Sequence, residues 1–579
     1  MRAWSRWALV VVAVLLGAGG RSASAGPWGN DVNAGDGARL VESVRAELAA
    51  IVATPAAARA QAIESSVPRA VEAMEAVKRF RNDELRPLFH RLLTHEDWKV
   101  VHRALLALER YGDATVLPRA LALLEHPEPR LREKAAIACI RLGEPAAWKA
   151  AGVADPAAAV AARRRREPDP HVRACLDALG RRLGKSLPVR RVSEEVRVPL
   201  EGGLLWTPFL EGMDKAKSVA PSYTSKPDSR MGGGSAEKLP VASRFVLPLL
   251  GFGAEEVPGV SLQPFGNPRN NGAVYHTGLD VGACLDGAGF YAVADGIVKM
   301  VHTGSDMGTL VCIEHHVGPK ALATVFFMHA ADVVFVEPGE RVAPGQLVAS
   351  MGLGYSFENG GHFAHLHLGA YPGPFQPAHN YGYKPANLGL RDWFDPAVVI
   401  PAWVERTRPP VDEPGAVDPS LDDAVADLRA GRYREALEAA RGVAARSSGD
   451  AASTDAARLE SLLTGAGAAL VERATAICAG GFPLAARALL AAWAPALAGV
   501  PGGDAAKQTL AAWDADPAFQ RDRKAEEGYD DALEREKTML AKHEPAAKVA
   551  AMWSKLAEQH AGTSVEPRLK AKAAENAPR

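Results

Sequence analysis

The chain has 579 residues, of which 47% are hydrophobic and 23% are charged, and its formal net charge is -1. This composition is typical of a folded protein with several domains, and the near-neutral charge argues against nucleic acid as the main partner. The 5 cysteines are too few and too scattered for a disulfide framework, so we expect buried thiols.

Residues 1–25 have the pattern of a secretory signal peptide. Arg2 and Arg6 precede an apolar run at residues 7–16, and the small residues Ala23-Ser24-Ala25 follow it. This run is about half the roughly twenty residues that cross a bilayer, so cleavage is predicted rather than a retained anchor. We therefore expect an exported protein, secreted or periplasmic, with no stable membrane span after cleavage.

Residues 37–188 are predicted to be helical, because apolar residues recur there at spacings of three and four. Three stretches, 98–112, 130–143 and 171–184, resemble one another, and each is a basic amphipathic helix that ends on a glycine. They resemble HEAT-type repeats, and a plain helical bundle is the alternative. Stacked repeats would offer a surface for protein partners. Residues 189–240 are predicted to be a linker, because apolar fragments there give way to residues 222–235, which are rich in Ser, Lys and Gly.

Two short segments in the middle of the chain carry residues that bind metals. His276 and Asp280 are four positions apart in a segment with strand-like alternation, and His365 and His367 alternate with leucines. In a strand such pairs share one face, so two strands could direct four metal-binding groups to one point. Catalytic zinc usually takes three protein ligands and keeps a fourth position for water.

The order of motifs around these residues resembles one family. His276-Thr277-Gly278-Leu279-Asp280, Phe326-Phe327-Met328-His329 and His365-Leu366-His367 are similar to motifs of the lysostaphin/LytM-type zinc metalloendopeptidases, over about residues 245–396. The resemblance implies a small antiparallel β domain of the duplicated hybrid motif type, which we place at residues 241–405. It also implies that His276, Asp280 and His367 hold one Zn²⁺ ion, while His365 and His329 flank the reacting carbonyl.

The resemblance implies hydrolysis of peptide bonds in peptidoglycan stems or cross-bridges, in the bacterial cell envelope. His365 is the first choice as the base, and His329 would stabilise the oxyanion or hold the attacking water. The sequence does not separate these two roles, which could be exchanged. Two alternatives remain open: a non-catalytic regulator or adaptor of other cell-wall hydrolases, and a general peptidase of the periplasm.

The last part of the chain is predicted to be helical again. Residues 406–420 are rich in Pro, Asp and Glu, which predicts an extended linker, and residues 421–579 resemble tetratricopeptide (TPR) helices around Tyr433 and Phe482. The predicted fold class is thus multidomain α and β, with an N-terminal HEAT-like helical repeat, a central small antiparallel β domain and a C-terminal TPR-like helical domain.

Overall fold

A computed structural model describes residues 80–81, 86–187, 189–191, 197–200, 203–206, 229–242, 244–252, 263–269, 272–282, 285–304, 308–318, 321–353, 359, 364–377, 382–386, 389–390, 392–412, 414, 417–447, 449–542 and 544–577. The chain forms two compact units, Met1–Pro401 and Ala402–Arg579. The predicted signal peptide lies outside the described residues.

The first unit begins with a helical module, residues 86–187. Its helices are α1 Arg86–Leu92, α2 Trp98–Tyr111, α3 Leu117–Leu123, α4 Pro129–Leu142, α5 Pro145–Ala150, α6 Pro156–Arg166 and α7 Pro170–Leu183. The Asp97 side chain caps α2 by accepting from the Lys99 amide, and Asp169 caps α7 in the same way. Proline occupies the first turn of α4 to α7, where its fixed backbone angle favours helix initiation.

Two arginines at equivalent positions close the loops between these helices. Arg132 donates to the carbonyls of His126 and Pro127, just before α4. Arg173 donates to the carbonyls of Glu167 and Pro168, just before α7, also at 2.8 Å. The same contact before α4 and before α7 is the expected consequence of a repeated sequence.

The strands of the described residues are antiparallel in every pair. They are β1 Phe80–Arg81, β2 Arg190–Arg191, β3 Arg197–Leu200, β4 Gly203–Trp206, β5 Ser229–Met231, β6 Pro268–Arg269, β7 Val274–His276, β8 Gly278–Val281, β9 Gly289–Tyr291, β10 Gly296–Gly304, β11 Gly308–Gly318, β12 Ala321–Val334, β13 Arg341–Val342, β14 Leu347–Met351, β15 Leu366–Pro372 and β16 Tyr383–Pro385. The main sheet runs β13-β10-β11-β12-β14-β9, and β15 joins β12 to β8. A separate small sheet has the strand order β16-β7-β6.

The linker predicted at residues 189–240 is wrong in part, because four of its described segments form strands. β2 pairs with β12, and β5 pairs with β10, so both extend the main sheet. β3 and β4 form a hairpin whose second strand pairs with β1. Backbone groups of a strand that lack a neighbour need hydrogen-bond partners, and β2 and β5 supply such partners to β12 and β10.

The helical module and the sheet share one hydrophobic core. Tyr291, Val333, Phe335 and Leu347 come from the sheet and its edge, and they pack with the buried leucines and alanines of the module. The predicted HEAT-like and β domains therefore fold as parts of one compact unit.

The second unit is helical. It contains the end of α8 Pro396–Thr407, which starts in the first unit, and then α9 Asp422–Arg429, α10 Tyr433–Arg446, α11 Ala451–Ala479, α12 Pro483–Trp493, α13 Gly503–Ala515, α14 Pro517–Ala541, α15 Ala546–Gln559 and α16 Glu566–Glu575. The helical C-terminal domain was predicted correctly. α11 has 29 residues and α14 has 25, too long for two helices within a regular repeat of about 34 residues.

Residues 406–420, predicted to be an extended linker, are in part helical or buried. α8 continues to Thr407, and Val411 is buried in the core of the second unit. Among the described helices, α11 alone is long and apolar enough to cross a membrane by length and composition, a test that core helices of soluble proteins also pass. One face of α11, with Leu459, Leu463 and Leu470, packs in that same core.

Candidate metal centre

Cross-strand pairing brings the two predicted metal-binding segments together. β15 pairs with β8 in a register that places His367 directly opposite Asp280. Side chains of opposed residues lie on the same face of a sheet, so the imidazole and the carboxylate meet. His276 ends β7, four residues before Asp280, and reaches the same point.

Three ligand atoms of these residues converge. Oδ1 of Asp280 lies 3.0 Å from Nδ1 of His367 and 3.2 Å from Nε2 of His276, and the two nitrogens are 2.9 Å apart. Ligand atoms at about 2.1 Å from a tetrahedral zinc ion are about 3.4 Å from one another. The observed separations are slightly shorter. The three side chains would therefore hold one ion after moving apart by a small distance.

The hydrogen bonding of His276 supports the same conclusion. Its Nδ1 donates to the carbonyl oxygen of Pro264 at 3.0 Å, because a carbonyl can only accept. In the neutral imidazole Nε2 then carries a lone pair, directed at the Asp280 carboxylate and at His367. This is the arrangement expected of a metal ligand, and the Pro264 carbonyl fixes the orientation of the His276 ring.

Burial and charge keep the ligands in the protonation states that metal binding requires. Burial by itself would raise the pKa of Asp280, but the neighbouring imidazoles, His365 first, lower it well below its usual value. Burial lowers the pKa of His367 to about 4, although Asp280 partly opposes this change. Near neutral pH the site therefore presents a carboxylate and neutral His367.

His365 and His329 lie beside this cluster. Nε2 of His365 is 3.4 Å from Oδ1 of Asp280, and the rings of His329 and His365 have centroids 4.4 Å apart. All five predicted site residues are buried, with exposed fractions between 1% and 5%. The structure thus brings together every residue that the sequence assigned to the site.

His329 has an unusual backbone. Its φ is 63°, in the left-handed region that residues with a Cβ seldom adopt. The register between β11 and β12 shifts by one residue at this point, since Thr309 pairs with Ala330 and Val311 with Phe327. This irregularity is a β-bulge, which re-aims a side chain. Nδ1 of His329 donates to the carbonyl of Asn359 at 2.8 Å.

Two family models match the chain. Residues 274–375 match Peptidase family M23, a span that begins just before His276 and includes all five site residues. The chain contains an M23 peptidase domain. Residues 49–141 and 85–180 match HEAT repeats. Searches of curated proteins and of solved structures give no significant match.

These matches confirm the resemblance inferred from the motifs, and also the predicted class of fold. The M23 domain belongs to a family of zinc-dependent peptidases, and its three converging ligands fit such an ion. The helical module of the first unit is a HEAT module. The TPR-like assignment of the C-terminal helices stays a prediction.

One glycine of the M23 domain is required by the site itself. A Cβ on Gly278 would lie 2.6 Å from Nε2 of His367 and 2.5 Å from the carbonyl oxygen of Leu368. Both distances are shorter than a carbon can approach, so only glycine allows β8 and β15 to pair this closely beside the ligand.

Sequence reasoning missed three groups around the centre. The carbonyls of Pro264 and Asn359 orient His276 and His329, but every residue has a carbonyl, so no sequence pattern marks them. Tyr383 pairs with His276 across β16 and β7, and its ring lies 5.4 Å from the imidazole. Tyr383 is 41% exposed, an aromatic surface next to the ligands.

The four cysteines that the structure describes are not part of the metal-binding cluster. Cys139, Cys175 and Cys312 are buried free thiols, and Cys478 is a half-buried one. The predicted burial is thus confirmed for three of the four described cysteines, and Cys284 lies outside the described residues.

Proposed function

We propose that the protein is an exported zinc metalloendopeptidase that hydrolyses peptide bonds in peptidoglycan stems or cross-bridges. The observation that carries this proposal is the convergence of His276, Asp280 and His367 inside an M23 domain, with two further histidines at the same point. Export rests on the signal-like pattern of residues 1–25. We place the activity in the bacterial cell envelope, where this substrate is found.

Zinc at this position would polarise the scissile carbonyl and lower the pKa of its bound water to about 7. The remaining tasks belong to side chains. One group must accept a proton from the attacking water and pass it to the leaving amine, and another must stabilise the negative charge on the carbonyl oxygen. We assign these tasks to His329 and His365, which lie beside the cluster.

Hydrogen bonding supports His329 as the group that accepts the proton. Its Nδ1 donates to the carbonyl of Asn359, so Nε2 is the accepting nitrogen of the neutral ring. Nε2 of His365 faces the Asp280 carboxylate and is therefore a donor. If Asp280 holds a metal ion, this N–H would be a donor for the developing oxyanion. The roles are then the reverse of the first choice made from sequence.

Tyr383 supports a peptide substrate lying beside the ligands. Its hydroxyl donates to the Gln263 side chain at 3.2 Å, which holds the ring at the surface next to His276. An exposed aromatic ring held in this way offers an apolar contact for a substrate side chain. The HEAT module and the C-terminal helices are proposed to contact protein partners, as helical repeats often do.

The decisive experiment is digestion of purified peptidoglycan by the full chain, followed by mass analysis of the released fragments. We expect fragments that result from cleavage of a peptide bond, no products after metal chelation, and recovery on addition of one equivalent of zinc. An inactive protein that still binds zinc, and that stimulates another wall hydrolase, would instead support the regulator hypothesis. Cleavage of unfolded proteins but not of peptidoglycan would support a general peptidase.

A further inference from the structure

The HEAT module contacts the M23 domain at Tyr291, whose side chain is completely buried. The tyrosine hydroxyl donates to the carboxyl of Glu133 at 2.5 Å and lies 3.1 Å from Sγ of Cys175. The ring of His171 packs edge-on against the tyrosine ring at 4.6 Å, and Nε2 of His171 donates to the carbonyl of Leu247 at 2.8 Å. Glu133 is on α4, and the other two module residues are on α7, so two helices hold β9.

A second contact lies closer to the metal centre. Leu106 on α2 and Leu353, just beyond β14, form a hydrophobic pair of their own, with exposed fractions of 0% and 2%. Nearby, a Cβ on Gly287 would lie 2.6 Å from Nζ of Lys134, so the module also approaches the M23 backbone closely. The Gly287 amide in turn donates to the carbonyl of Met351 at 2.8 Å.

The segment that carries Leu353 also holds the backbone of His329. The amide of Gly352 donates to the carbonyl oxygen of His329 at 2.8 Å. A Cβ on Gly352 would lie 3.0 Å from that same oxygen, so the two backbones are in direct contact. A left-handed φ at a residue with a Cβ persists only where the surroundings fix it. This hydrogen bond is one of the contacts that fix it.

We propose that Leu106 and Leu353 are positioning residues, through which the HEAT module holds the Gly352 amide against His329 and sets the direction of the catalytic imidazole. The HEAT module is then part of the catalytic unit, in addition to its proposed role in binding partners. This inference rests on the proposed peptidase function for its kinetic consequences. The predicted orientation of the His329 imidazole can be tested without measuring activity.

The test compares two leucine truncations in the full chain. Leu106→Ala removes the contact with Leu353, and Leu117→Ala makes a cavity of the same size in α3 of the same module. Turnover is measured on soluble cross-linked muropeptides prepared from purified peptidoglycan. The imidazole signals of His329 are followed by NMR of histidine-labelled protein, assigned with His329→Gln.

For Leu106→Ala we expect kcat to fall about tenfold with KM changed less than about twofold, because alignment and not binding is lost. Zinc content should stay at the wild-type value, and the His329 signals should shift or broaden. Leu117→Ala should leave both kcat and these signals at wild-type values. The conservative Leu353→Met should restore most of the turnover that Leu353→Ala loses.

Equal kcat and unchanged His329 signals in Leu106→Ala would overturn the proposal and leave the contact a purely structural one. If the wild type hydrolyses no muropeptide, the proposed function fails, and the NMR comparison alone decides the positioning of His329. Should the alanine variants not fold, Leu106→Val and Leu117→Val provide the same comparison with a smaller cavity.

Discussion

The hydroxyl of Tyr291 donates a 2.5 Å hydrogen bond to the carboxyl of Glu133, and both groups are buried. This bond joins β9 of the M23 domain to α4 of the HEAT module. A buried polar pair between two modules costs free energy when either partner is removed, because the other is left without water or a partner. The pair therefore makes the folding of the two modules interdependent.

Replacing Tyr291 by phenylalanine should destabilise the first unit. The change removes the Tyr291 donor from the buried Glu133 carboxyl, which keeps only a backbone hydrogen bond from Gly289, and we expect the free energy of unfolding to fall by about 1–3 kcal/mol. Urea denaturation followed by tryptophan fluorescence measures this. Tyr383→Phe is the control, since its hydroxyl bonds Gln263 at an exposed position, and it should change the free energy by less than about 0.5 kcal/mol. Similar effects for both variants would contradict the importance of the buried pair.

Stability of the first unit should decrease as the pH rises. Burial raises the pKa of Glu133 from 4.5 to about 8, although the hydrogen bond from Tyr291 opposes this. Between these values the unfolded carboxyl loses its proton while the folded one keeps it. The free energy of unfolding from this group then falls by up to about 1.4 kcal/mol per pH unit, and the contribution is constant above pH 8.

Glu133→Gln should remove this part of the pH dependence, because the amide does not titrate. Urea denaturation at pH 5.5, 6.5 and 7.5 would compare the variant with wild type. Identical slopes for the two proteins would show that the Glu133 carboxyl is ionised in the folded state.

The wild-type chain should bind about one zinc ion, and His367→Ala should lose it. Removing one of three protein ligands leaves two, too few for a stable site of this type. Elemental analysis after dialysis measures the content. The control is His316→Ala, whose ring donates to the Leu239 carbonyl away from the centre and whose loss should leave zinc bound. Full zinc content in His367→Ala would remove His367 from the ligand set.

His329→Gln and His365→Gln should both keep zinc and lose turnover. Each removes a proton-transfer or oxyanion-stabilising group, and such losses typically reduce kcat by about 10²–10⁴. If His329 is the base, the pH dependence of kcat should lose its acidic limb in His329→Gln and keep it in His365→Gln. The opposite result would return the base role to His365, as first inferred from sequence.

Gly278→Ala should disturb the metal centre directly. The new Cβ would stand 2.6 Å from Nε2 of His367 and would push the imidazole from its position. We expect zinc affinity to fall at least about tenfold, a loss typical of a change that moves a ligand. Gly233→Ala is the control, because a Cβ there meets nothing within 4 Å. Unchanged zinc binding in Gly278→Ala would mean that β8 can move away without cost.

The convergence of these residues was predictable because they lie in segments where polar and apolar residues alternate, as they do in strands. His365 and His367 are two residues apart, and Asp280 pairs with His367 in the register of β15 and β8. Period-two geometry places such residues on one face wherever the segments form strands. The left-handed φ of His329 was not predictable in this way, since a bulge depends on how two strands match in length.

The sequence by itself determined the succession of helical and β segments and the identity of the five site residues, because periodicity and motifs are local properties of the chain. Only the tertiary structure decided that the HEAT module and the M23 domain share a core, that parts of a polar segment become edge strands, and that Tyr291 is held by Glu133. Those contacts join residues up to 158 positions apart, and their free energy depends on packing and burial that no local pattern specifies.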